Sequence, residues 1–561
     1  MFRQGGQRLA VSRIPLALVS PQACFIAKHG SFCLSRTRAL TMVHAYFSTC
    51  RIILNPLRKL ASQTVVYGLS SIVGRFLNYL LVPLYTYTFA AADYGVVSEF
   101  YAYAGFFAVV LALGLETGYF RFRTHERAVP GAAYSAAFGL LLPVNLVFVL
   151  AIILFRQPLA EVLRYPAHPD YLVWFGLILA IDALAALPFA RLRAEERALR
   201  FAGIKMTEIM LAIGLNLLFL LVWPNIALRW PESPVARLYD PAIGVGYIFL
   251  ANLIASAGKL LLLIPQLRGF KFRAGLLLIR PMLAYSLPMV VIGFAGMINE
   301  MLDRAILKYL LPHDLTTNLK LLGIYGACYK LSILMTLFVQ AFRYAGEPFF
   351  FAQAGRADAR QAYARVMRYF VIFGVFIFLL VTLFIDVFKY FIGEEYRAGL
   401  AVVPILLMAN LFLGIYVNLS IWYKLTDRTL LGAWVSIAGA ALTIGLNFWL
   451  IPLYGYAGSA WATLGCYASM ALISWLLGRH YYPVPYPLAS ICAYLVVGVA
   501  LFGLDREMVE VCGWNPWVSG VGLMGVFGGM LLIVEVLPVL LKRRRQAAAC
   551  VADLRPPEQG K

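Results

Sequence analysis

Apolar runs long enough to cross a bilayer, separated by short polar stretches, recur over most of the chain. A crossing takes about twenty predominantly apolar residues. On that rule the pattern predicts fourteen helices, near 64–88, 94–120, 131–155, 171–190, 203–223, 242–265, 282–310, 321–343, 367–390, 398–423, 430–452, 456–478, 488–504 and 517–541. The fold class expected is therefore all-α and polytopic. Lys and Arg then assign sides, because cytoplasmic loops collect them. With the N-terminus inside, the inside segments hold 26 Lys and Arg and the outside loops about ten. Both termini are expected to be cytoplasmic.

Composition agrees with the span pattern. Of 561 residues, 62% are hydrophobic and 13% charged, against about 25% charged in soluble domains. The formal net charge of +21 would point to nucleic acid in a soluble protein. Here the cytoplasmic-loop bias accounts for it, and no nucleic-acid partner is expected. The eight cysteines show no paired or metal-ligand spacing, and only Cys512 falls in an expected external loop. No disulfide framework, metal or cofactor is expected. Residues 1–60 stand apart: nine Lys or Arg, no acid, and the first carboxylate of the chain only at Asp93. That is the look of a poorly ordered extension or an over-long gene start at a chain whose Met42 is an internal candidate. An organelle transit peptide shares the composition.

One charge stands out inside an expected span. Arg75 lies near the middle of Tyr67–Thr88, where a cation costs roughly 2.5–3.5 kcal/mol on insertion scales. Ser71, Arg75 and Asn78 follow helical spacing, so one face of that helix is polar. Such a face needs a wet cavity, a buried acid or an anionic ligand.

The spans repeat. Tyr67-Gly-Leu opens helix 1 as Tyr285-Ser-Leu opens helix 7, and Tyr94-Gly95 in helix 2 has a partner in Tyr325-Gly326 of helix 8. The sharpest match is Ile213-Gly-Leu-Asn216 against Ile444-Gly-Leu-Asn447, followed by Pro224 and Pro452 and by the glycine-bearing starts at Gly244 and Gly455. Six helices per copy is an even number, so both copies enter the membrane in one direction. A parallel repeat puts the pseudo-axis along the membrane normal, with a path between the halves. The expected division is 1–60 extension, 61–280 first six-helix bundle, 281–480 second bundle, 481–541 two added helices and 542–561 basic tail.

These stretches carry a resemblance. Tyr67 to Leu77 with Arg75, Pro188-Phe-Ala-Arg-Leu-Arg193 with Arg197 and Phe201, Asn299 to Arg304 followed by Gly323-Ile-Tyr325, and Asn447 to Ala460 are together similar to the Wzx-type oligosaccharide and polysaccharide flippases of the MOP (multidrug/oligosaccharidyl-lipid/polysaccharide) superfamily. The resemblance implies two six-helix bundles around a central cavity and a lipid-linked oligosaccharide flipped by alternating access. It places the protein in a bacterial inner membrane, supplied by glycosyltransferases and followed by a polysaccharide polymerase. Lipid II flippases of the superfamily carry a pyrophosphate-contacting arginine in an SRxLG-like stretch of helix 1. Gly74-Arg75-Phe-Leu-Asn78 sits at that place without the stretch's Ser and Gly.

A polyprenyl-pyrophosphate sugar needs cations for phosphate, and amides and hydroxyls for sugar. Arg suits phosphate because its planar fork bonds bidentately. Arg75, Asn78, Lys330 and Asn299 are the candidate substrate contacts. Lys330 is deep for easy snorkelling, although that is its alternative. Lys259 and Arg343 sit nearer the cytoplasmic ends and are expected as anchors. For coupling to H⁺ or Na⁺, or for gating, the candidates are Asp182, Glu300, Asp303 and Arg304. Glu300 and Arg304 are spaced to pair along one helix. Asn78, Asn216 and Asn447 suit either sugar hydroxyls or bonds between helices. A cation-coupled drug or metabolite exporter of the same superfamily is the alternative. A membrane polymerase or acyltransferase fits less well, because all six histidines fall in loops or in the N-terminal extension and no Walker motif is present. The chain is expected to be a transporter, with membrane lipids around it and no catalytic residues.

Overall fold

Helices make up all the regular structure among the described residues of the computed structural model, which are 68, 72–123, 131–268, 270–271, 276–538 and 540–541. The extension 1–60 and the tail 542–561 lie outside them, as do Tyr67 and Ser71. Helix α1 comprises residues 72–79 and, past a turn at Leu80, Leu81–Thr88. The following spans are α2 (Ala91–Arg123), α3 (Ala132–Leu154), α4 (Pro169–Ala194), α5 (Ala198–Arg229), α6 (Gly246–Leu267) and α7 (Leu276–Leu310). Helix α8 is the bent pair Leu315–Leu331 and Ile333–Gln353. It is followed by α9 (Ala359–Leu383), α10 (Glu394–Leu425), α11 (Thr429–Tyr454), α12 (Tyr456–Tyr481), α13 (Leu488–Val511) and α14 (Pro516–Val536).

Twelve of these are long and apolar enough to cross a membrane, and the α8 pair makes a thirteenth. The fourteenth expected span is α1, and of its expected residues 64–71 only Gly68 is among those described. The outer faces are apolar: Leu146, Val147 and Leu150 of α3 and Trp434 and Trp449 of α11 are all more than half exposed. In water such faces would be liabilities. In lipid they are the solvated side, and the backbone is satisfied within each helix.

Three local breaks depart from the expected straight spans. Helix α2 is interrupted at Leu113 and Gly114, both at positive φ (51° and 62°). A left-handed Leu costs roughly 1–2 kcal/mol. The break lets α7 lean in, since a Cβ on Gly114 would lie 2.9 Å from the Ser286 carbonyl oxygen. Helix α8 bends by 49° at Ser332 without Pro or Gly. The Ser332 hydroxyl donates to the Tyr329 carbonyl (2.7 Å) and accepts from Asn410 of α10 (3.2 Å), so a side chain enters the ladder. Helix α10 starts as a 3₁₀ segment, Glu394–Val402, before its α-helical turns.

The related stretches Tyr94-Gly95 and Gly323–Gly326 meet each other. A Cβ on Gly95 would stand 2.1 Å from the Leu319 carbonyl oxygen, and one on Gly323 1.9 Å from that of Ala91. Backbones of α2 and α8 therefore touch, as small residues permit between membrane helices. At the same end the Glu395 carboxylate of α10 accepts from the Ala91 amide (2.9 Å) and pairs with Lys320 of α8 (2.9 Å). A carboxylate on a helix N-terminus is favoured by the helix dipole. The two asparagines share their local bond and differ in the helix they reach. Asn216 donates to the Ala212 carbonyl and accepts from the Tyr85 hydroxyl. Asn447 donates to the Thr443 carbonyl and accepts from the Ser459 hydroxyl. Of the two uses expected for these asparagines, both are engaged in bonds between helices. Helices α13 and α14 pack on α9, where Arg368 and the Tyr494 hydroxyl both bond the Glu535 carboxylate.

Candidate functional site

Helix α1 reaches the site because Gly74 allows it to lie against α5: a Cβ there would sit 2.6 Å from Ile209. Its next residue, Arg75, and Asn78 one turn on are both exposed. They line a cavity of about 400 Å³ enclosed mainly by α1, α2, α4, α5 and α6, with Tyr344 of α8 at one side. Tyr101 of α2 and Asn252 of α6 also face it, joined by a 2.8 Å bond from the Asn252 amide to the Tyr101 hydroxyl. Among the described residues Arg75 makes no ion pair.

Two carboxylates line the same cavity, Asp182 of α4 and Glu208 of α5. Lys259 of α6 joins them, with its ammonium 2.7 Å from Asp182 and 2.5 Å from Glu208. Ser256 adds a 2.8 Å hydrogen bond to the same Asp182 oxygen, and Lys205 lies 3.7 Å from Glu208. The Lys259 side chain is 4% exposed and that of Asp182 47%. Lys259 is therefore not the interfacial anchor expected of it. Two acids from neighbouring helices hold it inside, because a buried ammonium needs compensating charge. The cavity and its rear wall thus carry three cations against two carboxylates.

The other candidates form a second neighbourhood. Asn299 is buried in α7 and bonded to α11 and α12: it donates to the Ser436 carbonyl (3.1 Å), accepts from Thr443 (3.0 Å), and its own carbonyl accepts from the Tyr467 hydroxyl (3.0 Å). Arg304 does not pair with the Glu300 carboxylate. It lies over the Tyr329 ring (4.0 Å), which brings its guanidinium onto the neighbouring Asp303 (3.1 Å) and the Glu300 backbone carbonyl. Asp303 also accepts from the Tyr325 hydroxyl (2.7 Å). Glu300 and Lys330 remain exposed, Lys330 just before the α8 bend. Neither Asn299 nor Lys330 lines the Arg75 cavity.

A third cluster joins α2 to α7. Glu99 and Lys308 pair at 2.8 Å with both side chains fully buried. The hydroxyls of Tyr103 and Tyr165 each donate to Glu99 at 2.5 Å, and Lys308 also donates to the Leu163 carbonyl at 2.8 Å. Glu99 is visible in the sequence as an acid inside a span, but its partner lies 209 positions away and no local spacing announces it. Among the described residues no group of three His, Cys, Asp or Glu side chains could hold a metal.

The fold and its charged interior cavity define a multi-pass membrane protein of transporter architecture. Residues 60–352 match the polysaccharide biosynthesis protein family, and the chain belongs to that family. Among solved structures, a lipid II flippase MurJ in an inward closed conformation superposes with a TM-score of 0.63 at 11% identity, covering 84% of this chain and 100% of that one. An inward-facing multidrug resistance MATE family transporter of the MOP superfamily gives 0.58 at 12% identity, over 74% of this chain and 94% of that one. An outward-facing one gives 0.53 at 14%, over 77% and 96%. At these identities the likeness establishes the fold, which is that of MOP-superfamily transporters. No curated protein matches the chain.

Proposed function

We propose that the chain flips a polyprenyl-pyrophosphate-linked oligosaccharide across the bacterial inner membrane by alternating access, for surface polysaccharide synthesis. The observation that carries this reading is Arg75, a guanidinium with no ion pair among the described residues, open to a cavity between apolar spans. Pyrophosphate is the ligand such a fork bonds best, and Asn78, Tyr101 and Asn252 supply amides and a hydroxyl for sugars beside it. The polysaccharide biosynthesis family supports the substrate class. In this reading 61–280 and 281–480 are the two moving bundles, both termini face the cytoplasm, and glycosyltransferases and a polymerase act before and after. Lys330 contributes from the second bundle, where Asn299 ties α7 to α11 and α12; Glu300, Asp303 and Arg304 gate, and Asp182 couples flipping to H⁺ or Na⁺ through its bond to Lys259.

A second reading, a cation-coupled exporter, draws on Asp182 and Glu208, the carboxylates that line the same cavity. Lys259 and Lys205 together offset their two charges and leave Arg75 in excess, which favours an anionic cargo. Complementation separates the readings. Arg75→Ala should reach the membrane at wild-type level yet lose surface polysaccharide more than about tenfold, one charge-assisted bond being worth about 1.5–3 kcal/mol. Normal polysaccharide from that variant, or retention of a cationic dye in cells lacking the protein, would favour export.

A further inference from the structure

On the opposite half of the chain, two cavities of about 530 and 270 Å³ share the walls Leu419, Trp475, Tyr486 and Leu488. The first is polar at its rim, where Arg360 of α9 and Arg479 of α12 are both exposed. Each guanidinium is held near an aromatic face, Arg360 5.0 Å from the Tyr482 ring and Arg479 6.0 Å from that of Trp475. Neither is in an ion pair with a described residue. The second cavity continues into the span region as a slot walled by apolar side chains, among them Phe412, Ile415, Leu472, Ile491 and Leu495.

We propose that this groove binds an anionic phospholipid of the bilayer, its phosphate on Arg360 and Arg479 and one acyl chain in the slot between α10, α12 and α13. Charge selects the head: two unneutralised guanidinium groups suit a phosphate carrying net negative charge, and basic pockets between spans are where such lipids are held. Shape selects the tail, since the cationic end opens directly onto a wall without charge. The site is built in advance. Pro483, Pro485 and Pro487 lock the strap that carries Tyr486, so little ordering is left for the lipid to drive. The cationic end lies where α12 ends and α13 begins, beside the α10–α11 turn, whose Arg428 lies 4.2 Å from the Tyr481 ring. That basic end is the one expected to face the anionic cytoplasmic leaflet. The groove shares no lining residue with the Arg75 cavity, so it is a site for a resident lipid rather than a part of the cargo path.

Cys492 lines the slot and is exposed, and Cys512 is exposed outside it, which gives a probe and its control. The purified full chain is alkylated with N-ethylmaleimide in micelles containing phosphatidylglycerol, phosphatidylcholine, inorganic phosphate or a polyprenyl pyrophosphate, and each cysteine is read by peptide mass spectrometry. Phosphatidylglycerol should slow Cys492 about tenfold and leave Cys512 unchanged, as expected where a charge-assisted phosphate contact sets affinity. Phosphatidylcholine and phosphate should do nothing, and R360Q/R479Q should lose the protection while keeping the wild-type melting temperature without lipid. Equal protection by phosphatidylcholine overturns the charge selection. Protection by phosphate alone overturns the lipid. Protection by the polyprenyl pyrophosphate at lower concentration than phosphatidylglycerol overturns the resident role. A double variant that still protects removes the arginines.

Discussion

Two ionisable groups inside apolar spans meet opposite fates in this molecule. Glu99 is fully buried and fully engaged, by Lys308 and two tyrosine hydroxyls. Arg75 is exposed to a cavity and has no ion-pair partner among the described residues. Both residues violate the hydrophobic pattern equally in the sequence. The difference teaches that a charge at membrane depth is a question about partners. Where the protein itself answers it, the charge ties helices together. Where the protein leaves it open, the charge is available to a ligand.

The contrast breaks most severely at Glu99. Glu99→Ala strands the Lys308 ammonium without a carboxylate, and removal of one member of a buried pair costs about 3–5 kcal/mol. Thermal unfolding in detergent should show it, and Glu99→Gln combined with Lys308→Met should recover most of the loss. Similar instability in the double variant would show that the cluster does more than neutralise itself. Lys259→Met leaves Asp182 and Glu208 facing each other's charge. With both partly in contact with the cavity, about 2–3 kcal/mol is expected, in line with lost bonds to charged groups. Asp182→Asn is milder because Glu208 still holds Lys259. Its readout is the dependence of flipping on a proton or sodium gradient, and an unchanged dependence would remove Asp182 from coupling. Gly323→Ala pushes a methyl against the Ala91 carbonyl and should cost about 1–3 kcal/mol by overpacking. It also sharpens the comparison, since the α2–α8 contact lies on the same helix as Glu99. Smallest of all, Arg75→Ala should change stability by less than about 0.5 kcal/mol, as exposed positions do.

The all-helical, many-span architecture was legible because about twenty apolar residues per crossing is a strong local signal. Asn216 and Asn447, matched in the sequence, share the bond to the carbonyl four residues back, while their partners on other helices, Tyr85 of α1 and Ser459 of α12, are not counterparts in the expected repeat. Pairings were not legible. Lys259 reads as an anchor because its depth in the span is ambiguous from sequence, and its partners Asp182 and Glu208 lie 77 and 51 positions away. Glu300 and Arg304 have the spacing of a helical ion pair, but the Tyr329 ring from α8 turns the guanidinium onto Asp303. The α8 bend has no Pro or Gly to announce it; a serine hydroxyl bonded to the preceding turn makes it. In each case the deciding contact comes from another helix, which local periodicity does not record.

In the proposed function Arg75 is the ligand for phosphate. The most direct measurement is the side of the membrane on which the lipid-linked oligosaccharide resides in cells carrying Arg75→Ala in place of the native chain. Accumulation on the cytoplasmic leaflet is expected, with the protein present and folded at wild-type level. An even distribution between the leaflets, with normal surface polysaccharide, would contradict it.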